Sequence, residues 1–361
     1  MRIALLYDGV SVMDASPDLL IIATVEAIES ALETEGNRVV RVPVTLDGKW
    51  IDRLKRGKFD VAFNMCEGID GVAELEPAVI GVLELFGIPY TGGSSYTTSL
   101  TLRKQAVNAI LAHAGLPVPP WISIRRGGRI RSVGYPAIVK PAAEDASIGV
   151  EQRSVVRTAR ALKARVEAML ESFDEVIVQR YVGGRELNVG VIGDTVLPIA
   201  EIDFSTMPKQ LWPIVTYRSK WDQGSVEDLG SVPRCPADLS ARVANDVRRV
   251  ALDAWKTVSG HGYGRVDMRL DEDGRPWILE VNTNPDIAPD AGLARMARVA
   301  GIDYSTLIRT ICEMGIMRRK EQMAQPDTWA LSQQLSGMPG PQKKQPAQAS
   351  PELQLFSGGN R

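Results

Sequence analysis

The stretch Gly264–Pro285 reads GRVDMRLDEDGRPWILEVNTNP and carries the strongest structural signal in the chain. It contains two short strand-like runs, Arg265–Leu270 and Pro276–Asn282, and the residues that join them, Asp271–Gly274, are typical of a turn. Asp-Gly between alternating apolar runs is the strongest short-range signal for a β-hairpin. The sequence therefore predicts an antiparallel hairpin at this position.

The register of the hairpin follows from the position of its turn. With Asp273-Gly274 as the two central turn residues, cross-strand partners have residue numbers with a constant sum, so Asp267 faces Glu280 and Arg265 faces Asn282. Side chains two residues apart on a strand share a face, so these four polar groups lie on one side. The residues expected to supply apolar packing surface are Met268, Leu270, Ile278, Leu279 and Val281.

The facing acidic residues indicate a metal site. Two carboxylates directly opposite each other repel, which costs roughly a few tenths of a kcal/mol in a plain sheet. A hard divalent cation, Mg²⁺ above all, binds the oxygen-rich cluster that Asp267, Glu280 and Asn282 offer. The alternative is a surface hairpin with solvated charges, in which Arg265 only pairs with Asp267. The turn residues after the second strand place these groups at its carboxyl end, where α/β sites tend to lie.

The composition is that of a globular protein with two or three domains: 361 residues, 44% hydrophobic and 24% charged. The net charge of −2 argues against a nucleic-acid or anionic-membrane partner. Three scattered cysteines (Cys66, Cys235 and Cys312) and two histidines (His113 and His261) form no disulfide framework or metal-binding pattern. Because no apolar stretch resembles a signal peptide or a membrane span, we expect a cytoplasmic protein.

The first third of the chain alternates predicted strands with predicted helices, which is typical of a parallel, Rossmann-like sheet. The glycine-rich dinucleotide fingerprint is missing, because Asp8-Gly9-Val10-Ser11 contains a single glycine. The predicted strands are Ile3–Tyr7, Val39–Val44 and Val61–Asn64, and the predicted helices are Asp18–Glu35, a short run at Ile51–Arg56, and Ala73–Phe86.

Two lysines are candidates for phosphate binding. Lys104 lies in the first turns of a predicted helix, Thr101–Ala114, where its charge opposes the helix dipole. A bound phosphate is one reason for that position, and a solvated surface lysine is the default. Lys140 lies at the end of the predicted strand Tyr135–Pro141, before the loop Ala142–Val150, whose small side chains let backbone N–H groups approach anionic oxygens. An ammonium group that emerges from an apolar strand needs an anionic partner.

The segment after this loop offers a surface for an adenine base. An adenine can bond to backbone groups between Gln179 and Val182, while Glu186 reaches the ribose; the alternative is an ordinary edge strand followed by a hairpin. The predicted elements from here onward are a helix at Val155–Ser172, strands at Glu175–Val182, Leu187–Ile192 and Val196–Ile202, an irregular segment at Phe204–Asp228, helices at Ser240–Val258 and within Ala291–Met317, and a disordered segment at Gly337–Arg361.

In their order these motifs resemble the ATP-grasp superfamily, and most closely the D-alanine–D-alanine ligases, from Met1 to about Met317. The resemblance implies an α/β protein with a Rossmann-like N-terminal domain followed by a two-part ATP-grasp fold. It predicts domains at residues 1–95, 96–184 and 185–318 and a polar, disordered tail at 319–361. Besides the hairpin, the motifs that carry it are GIPYTGG at Gly87–Gly93, Lys104, AGLPVPPW at Ala114–Trp121, IVKP at Ile138–Pro141 and the Gly-Gly-Arg-Glu turn at 183–186.

The resemblance also implies roles for individual residues. Arg265 would stabilise the transition state, and Asp267, Glu280 and Asn282 would bind Mg²⁺, with Mn²⁺ as a substitute. Gln179 stands where the family often has Glu, and its side-chain oxygen can still accept from the adenine amino group. The residues implied for ATP binding are Lys104, Lys140, Ser147, Gln179, Arg180, Tyr181, Val182, Glu186 and Lys220.

The implied reaction is phosphorylation of a carboxylate followed by attack of an amine on the acyl phosphate. The partners would be a small carboxylate and an amine, with the family's habit suggesting a homodimer, and the loops Ala142–Gly149 and Phe204–Asp228 are candidate lids that exclude water. No Ser-His or Cys-His nucleophile is evident, and this mechanism needs none.

The residues that would hold the substrates depart from the family. Its N-terminal Glu falls near Met13, with Asp14 the nearest acid; its loop Ser falls at Ala146, its Tyr at Trp221, and its carboxylate-binding Ser at Ala291 or Gly292. Several charge-assisted hydrogen bonds to D-alanine would be lost. We therefore expect an ATP-dependent carboxylate–amine ligase with a different substrate pair. The alternatives are a genuine D-alanine–D-alanine ligase, a carboxylate kinase, or a nucleotide-binding regulatory protein.

Overall fold

The structure is a computed structural model that describes residues 1–9, 18–34, 36–144 and 146–324. Its first sheet consists of β1 (Arg2–Asp8), β2 (Arg38–Val44) and β3 (Val61–Asn64), accompanied by α1 (Asp18–Glu33), α2 (Lys49–Gly57) and α3 (Glu76–Phe86). The strands are parallel in the order β2-β1-β3, which confirms the predicted Rossmann-like alternation. Successive residues of β1 are buried in two different clusters, because helices cover both faces of a parallel sheet.

The second sheet is antiparallel and has the order β4-β7-β5-β6. Its elements and the helices before it are α4 (Ser95–Thr101), α5 (Lys104–His113), β4 (Trp121–Arg125), β5 (Ala137–Pro141), β6 (Val155–Val156), α6 (Ala159–Met169) and β7 (Glu175–Arg180). The predicted helix Thr101–Ala114 therefore begins later than expected, because Arg103 has non-helical torsions and separates α4 from α5.

The helix predicted from Val155 also begins later than expected. Val155 and Val156 are β-branched and pair with β5 as an edge strand, in which they are buried. The side-chain oxygen of Thr158 then accepts a hydrogen bond from the N–H of Ala161 and caps α6 at its true start.

The third sheet has the order β11-β10-β8-β12-β13, with β9 paired to β8. Pro198, which has no N–H to donate, lies in the gap that divides the predicted strand Val196–Ile202 into β9 and β10. The elements are β8 (Arg185–Ile192), β9 (Thr195–Val196), β10 (Ala200–Asp203), α7 (Tyr217–Trp221), α8 (Val226–Leu229), β11 (Val232–Arg234), α9 (Ala241–Thr257), β12 (Tyr263–Leu270), β13 (Pro276–Asn282), α10 (Gly292–Val299) and α11 (Tyr304–Ala324).

The hairpin of β12 and β13 has the predicted register at the end that carries Arg265 and Asn282, but its turn differs from the prediction. Five residues, Asp271–Arg275, connect the strands instead of a two-residue turn, and Leu270 pairs with Pro276. A bulge then places Leu279 opposite no partner and restores the pairing of Asp267 with Glu280. Leu279 consequently lines a cavity, whereas the other four predicted apolar residues are buried in the core.

Some of the predictions concern features that the described residues do not test. The domain boundaries at 95, 184 and 318 stay predictions, and the disordered segment predicted at Gly337–Arg361 lies outside the described residues. Within the described part of the chain, no helix combines the length and apolar character needed to cross a membrane.

Candidate active site

A cavity of about 390 Å³ lies between the second and third sheets. Its lining includes all nine residues predicted to bind ATP, together with Arg265, Asp267 and Glu280. These residues come from segments up to about 180 positions apart in the sequence, from Lys104 on α5 to Glu280 on β13. Asn282 is the one predicted site residue absent from the lining, and its side-chain oxygen accepts from the N–H of Asn284 at 2.8 Å.

One end of the cavity is formed by the residues that end β7. Gln179 is only 1% exposed, and both polar atoms of its side-chain amide lack a hydrogen-bond partner among the described residues. The backbone N–H of Val182 likewise donates to no other described residue. Buried polar groups are normally paired, so orphaned groups that face a cavity indicate a polar ligand. We call residues 179–182 the hinge segment.

Glu186 and Arg269 form an ion pair beside the hinge segment, with 3.0 Å between their charged groups. Burial raises the pKa of Glu186, and the positive charge of Arg269 opposes that shift. The guanidinium group of Arg269 is buried and also lies 5.5 Å from the ring centres of Tyr181 and Phe204. Arg269 thus contacts an acidic and an aromatic side chain of the cavity lining, Glu186 and Tyr181.

The sequence interpretation missed Arg269, although a signal for it was present. Arg265, Asp267 and Arg269 occupy alternate positions on β12 and therefore share a face. Extending the alternation rule by one step along the strand would have placed Arg269 in the site.

The carboxylate of Asp267 is held by two neighbours. Arg265 donates to both of its oxygens, at 2.7 and 2.8 Å, and Asn188 of β8 donates to one of them at 2.7 Å. The pair with Arg265 is the contact that the surface-hairpin alternative predicted, but here it is partly buried in a cavity wall rather than fully solvated. Asn188 carried no recognisable sequence signal, because its position depends on which strand lies beside β12.

The two candidate phosphate-binding lysines, Lys104 and Lys140, lie near the carboxylates of Asp267 and Glu280. The ammonium group of Lys104 lies 2.7 Å from a carboxylate oxygen of Glu280 and donates to the backbone carbonyl of Glu144 at 2.6 Å. This pairing explains how a lysine that is 7% exposed tolerates the first position of a helix. Burial, with a smaller contribution from the charge of Lys104, lowers the pKa of Lys140 to about 8.

The donor set on the hairpin suits a hard cation. Asp267 and Glu280 face each other across the two strands, and Asn282 follows on the same strand as Glu280. All three offer oxygen, which is the donor that Mg²⁺ prefers. Across the described ranges of the chain, no group of three or more His, Cys, Asp and Glu side chains is placed to hold a metal ion. The predicted site has only two carboxylates, and its third predicted ligand is the amide oxygen of Asn282.

The two predicted lid loops contact each other above the cavity. The indole N–H of Trp221 donates to the carbonyl of Ala146 at 3.2 Å, and the N–H of Tyr217 donates to the carbonyl of Val150 at 2.9 Å. Ala146 and its neighbour Ser147 both have positive φ, a conformation that is rare for residues other than glycine. Strained backbone of this kind is often found where a loop covers a functional site.

Another part of the cavity wall is formed by the start of α10. Ala291 occupies its N-cap position and offers no side-chain hydrogen bond, while Arg295 on the first turns lines the cavity. Met13 and Asp14, the candidates for the N-terminal acid, lie outside the described residues. Lys220 is exposed on α7, at the edge of the lid.

Comparison with known proteins identifies close counterparts. The sequence model of the family "D-ala D-ala ligase C-terminus" matches residues 110–313. A D-alanine–D-alanine ligase from Dechloromonas aromatica is 34% identical over 268 residues, covering 73% of this chain and 83% of the relative. D-alanine–D-alanine ligase A from Bacillus cereus is 28% identical over 300 residues, covering 81% of this chain and 93% of the relative.

Solved structures give the same result for the fold. The crystal structure of a D-alanine–D-alanine ligase from Bacillus anthracis, in complex with ATP, is similar to this chain with a TM-score of 0.72 and 25% identity. The match covers 89% of this chain and 99% of that one.

Proposed function

Because the chain belongs to the D-alanine–D-alanine ligase family of ATP-grasp enzymes, we propose that it joins two D-alanine molecules at the expense of ATP. The family makes a carbon–nitrogen bond, and the relatives that cover most of this chain carry the name of that reaction. They favour this activity over the different substrate pair that the altered residues suggest. The observation that carries the proposal is a single cavity that gathers the hinge segment, two lysines and two facing carboxylates.

ATP fits the charges and polar groups of this cavity. The orphaned amide of Gln179 and the N–H of Val182 offer an acceptor and donors for the edge of an adenine. Glu186, held by Arg269, lies next to the hinge segment, where a ribose hydroxyl would donate a hydrogen bond to its carboxylate. Lys104 and Lys140 then supply positive charge for the phosphates. The relative whose structure contains ATP supports this assignment.

Asp267, Glu280 and Asn282 would hold Mg²⁺, which would neutralise phosphate charge while a carboxylate approaches. Arg265 and Lys104 now pair with these carboxylates. Both cations therefore lie close to the atoms where negative charge would develop. A group that is already held in place needs no reorganisation when the reaction occurs, which is what electrostatic stabilisation of a transition state requires.

The chain's own residues can account for both chemical steps. In the first, the lysines and Arg265 offset repulsion between the D-alanine carboxylate and the γ-phosphate. The γ-phosphoryl group passes to a carboxylate oxygen, which gives an acyl phosphate, and ADP is released. In the second, the amine of another D-alanine attacks the acyl carbon, Arg265 stabilises the oxyanion, and phosphate leaves. The paired lid loops, joined by Trp221 and Ala146, would protect the acyl phosphate from water.

The test is phosphate release from ATP and Mg²⁺ with D-alanine, with the dipeptide identified by mass spectrometry. We expect release to require D-alanine and to be lost in Glu280→Gln, which keeps the size of the side chain but removes a metal-binding charge. Phosphate release without dipeptide would support a carboxylate kinase instead. ATP binding without any turnover across a grid of amino acids would support a regulatory protein.

A different substrate pair is the second candidate. Ala146 and Ala291 provide no hydroxyl where the family has serine, and Trp221 donates to the loop backbone where the family has tyrosine. The same grid distinguishes the two, because another pair of amino acids would then give a higher kcat/KM than D-alanine does.

A further inference from the structure

Arg295 lines the cavity, yet the chemistry described above does not use it. Its guanidinium group donates to the backbone carbonyl of Asp290 at 2.9 Å, and no ion pair with a carboxylate of the described residues involves it. Two of the other three arginines in the lining differ in this respect, because Arg265 pairs with Asp267 and Arg269 pairs with Glu186. The third, Arg180, is exposed and belongs to the hinge segment. Arg295 is therefore a cavity cation whose charge is available to a ligand.

The order of side chains along the central strands locates Arg295 within the cavity. Alternate residues of β8 lie on the cavity face and pair in register with the cavity-lining residues of β12. These cross-strand pairs form a row on the cavity face. The first pair is the ion pair beside the hinge segment, the second includes the proposed metal ligand Asp267, and the last includes Arg265. The pairs, in that order, are Glu186 with Arg269, Asn188 with Asp267, and Gly190 with Arg265.

Helix α10 lies over the far end of this row. A Cβ atom at Gly190 would lie 2.8 Å from Leu293 and 3.0 Å from Met296, so the helix packs directly on the strand where a side chain is missing. Arg295 is on this helix, and it therefore lies beyond Arg265, at the opposite end of the row from the hinge segment. An ATP molecule that runs from the hinge segment to the metal-binding position would leave this end for the other substrates.

The reaction leaves one anionic group of the two amino acids to be bound there. The carboxylate of the first D-alanine is consumed as the acyl phosphate, whereas the second D-alanine keeps its carboxylate. A carboxylate removed from water needs a charged or multiple hydrogen-bonding partner. Ala291 at the start of α10 provides no hydroxyl for it, and Arg265 is engaged by Asp267.

We propose that Arg295 binds the free carboxylate of the second, amine-donating substrate, and that it selects amino acids over amines without a carboxylate. This inference rests on the proposed function. It also explains how a chain with alanine in place of the family's carboxylate-binding serine can keep an amino-acid acceptor. A guanidinium group offers two parallel N–H donors to a carboxylate, so it replaces a hydroxyl with a stronger partner.

The experiment supplies the full-length protein with ATP, Mg²⁺, D-alanine and an equal concentration of D-alaninamide, and measures the ratio of dipeptide to dipeptide amide. The ratio compares acceptors with and without a carboxylate in one tube, so it is independent of total activity. We expect Arg295→Gln to lower this ratio by about ten- to a hundredfold, the loss of one charge-assisted contact. The KM for ATP should stay unchanged, because the hinge segment lies at the other end of the row.

Two further variants test the assignment. Arg298→Gln is the matched control, because Arg298 is on the same helix, donates to the carbonyl of Pro289 at 2.9 Å and is not part of the cavity lining. It should leave the ratio unchanged. Adding Ala291→Ser to Arg295→Gln restores a hydroxyl at the N-cap and should recover part of the ratio.

The outcomes separate this inference from the proposed function. If the wild type forms dipeptide and Arg295→Gln keeps the wild-type ratio, the inference is wrong and the proposed function stands. If the wild type forms no dipeptide, the proposed function is wrong and the inference falls with it. Should Arg295→Gln fail to fold, Arg295→Lys gives the same measurement, since a shorter cation without the planar fork must shift the ratio if Arg295 contacts the acceptor.

Discussion

Lys140 lies on β5 in the part of the cavity that we propose binds phosphate, and its charge state depends on burial. Its pKa is lowered from 10.5 to about 8, chiefly by loss of hydration and further by the charge of Lys104. Above about pH 8 the folded, ligand-free protein therefore holds Lys140 neutral, while the unfolded chain keeps it protonated. Stability from this group accordingly rises with pH between the two values, because unfolding takes up a proton there.

Phosphates beside Lys140 favour its charged form, so ATP binding should take up a proton at about pH 9 and none from this group at about pH 6.5. Calorimetric titration in buffers with different ionisation enthalpies measures this uptake. Lys140→Arg, which stays charged at both pH values, should show no uptake of this kind. Equal uptake by the wild type at the two pH values would contradict the lowered pKa.

Gln179 gives a second prediction at the level of a single residue. Its buried amide has no partner among the described residues, so Gln179→Leu should stabilise the ligand-free protein by about 1 kcal/mol. The same change should weaken ATP binding by roughly two- to tenfold, because a hydrogen bond to adenine is lost. Thermal unfolding and ATP titration measure the two effects.

Gln105→Leu is the matched control, because Gln105 does not line the cavity, and it should leave ATP binding unchanged. If Gln179→Leu lowered both stability and affinity, its amide would have a structural role instead.

Among the elements, the hairpin depends on how closely it packs against α9. A Cβ atom on Gly264 would lie 2.2 Å from the buried ring of Trp255 and 2.8 Å from the backbone oxygen of Asn282. Neither neighbour can move easily, so Gly264→Ala should destabilise the protein by roughly 3 kcal/mol. Urea unfolding measures the effect.

Gly81→Ala is the control for Gly264→Ala. Gly81 lies within α3 and an added Cβ would meet no atom within 4 Å, so alanine there should stabilise the helix by about 0.5–1 kcal/mol. A neutral Gly264→Ala would mean that the hairpin can move away from α9 without cost.

The buried apolar residues form separate clusters, and the three sheets differ in whether they share a cluster with other elements. The first sheet shares a core with α10 and α11, through residues such as Leu5, Met296 and Leu307. The second sheet has a separate core formed by its own strands and α6, including Val139 and Val166. Elements that share a core should open together, whereas a separate core can open alone.

Hydrogen exchange tests this division of cores. The amides of β4, β5 and β7 should exchange with a smaller opening free energy than those of β1 and β12. ATP, which would contact the second and third sheets together, should reduce that difference. A single opening free energy for all three sheets would show that the molecule unfolds as one unit.

The sequence alone specified the alternation of strands and helices in the first sheet and the facing carboxylates of the hairpin, because alternation along a strand and helix periodicity are local properties. The prediction of a two-residue turn was wrong, but the predicted pairing of Asp267 with Glu280 is still observed, because the bulge at Leu279 compensates for the longer loop. Only the tertiary structure decided the rest. The pairing of Lys104 with Glu280, the support of Asp267 by Asn188 and the position of Arg295 each join segments distant in sequence. Such contacts depend on which strand or helix packs beside which, and that choice follows from burial across the whole chain rather than from any local pattern.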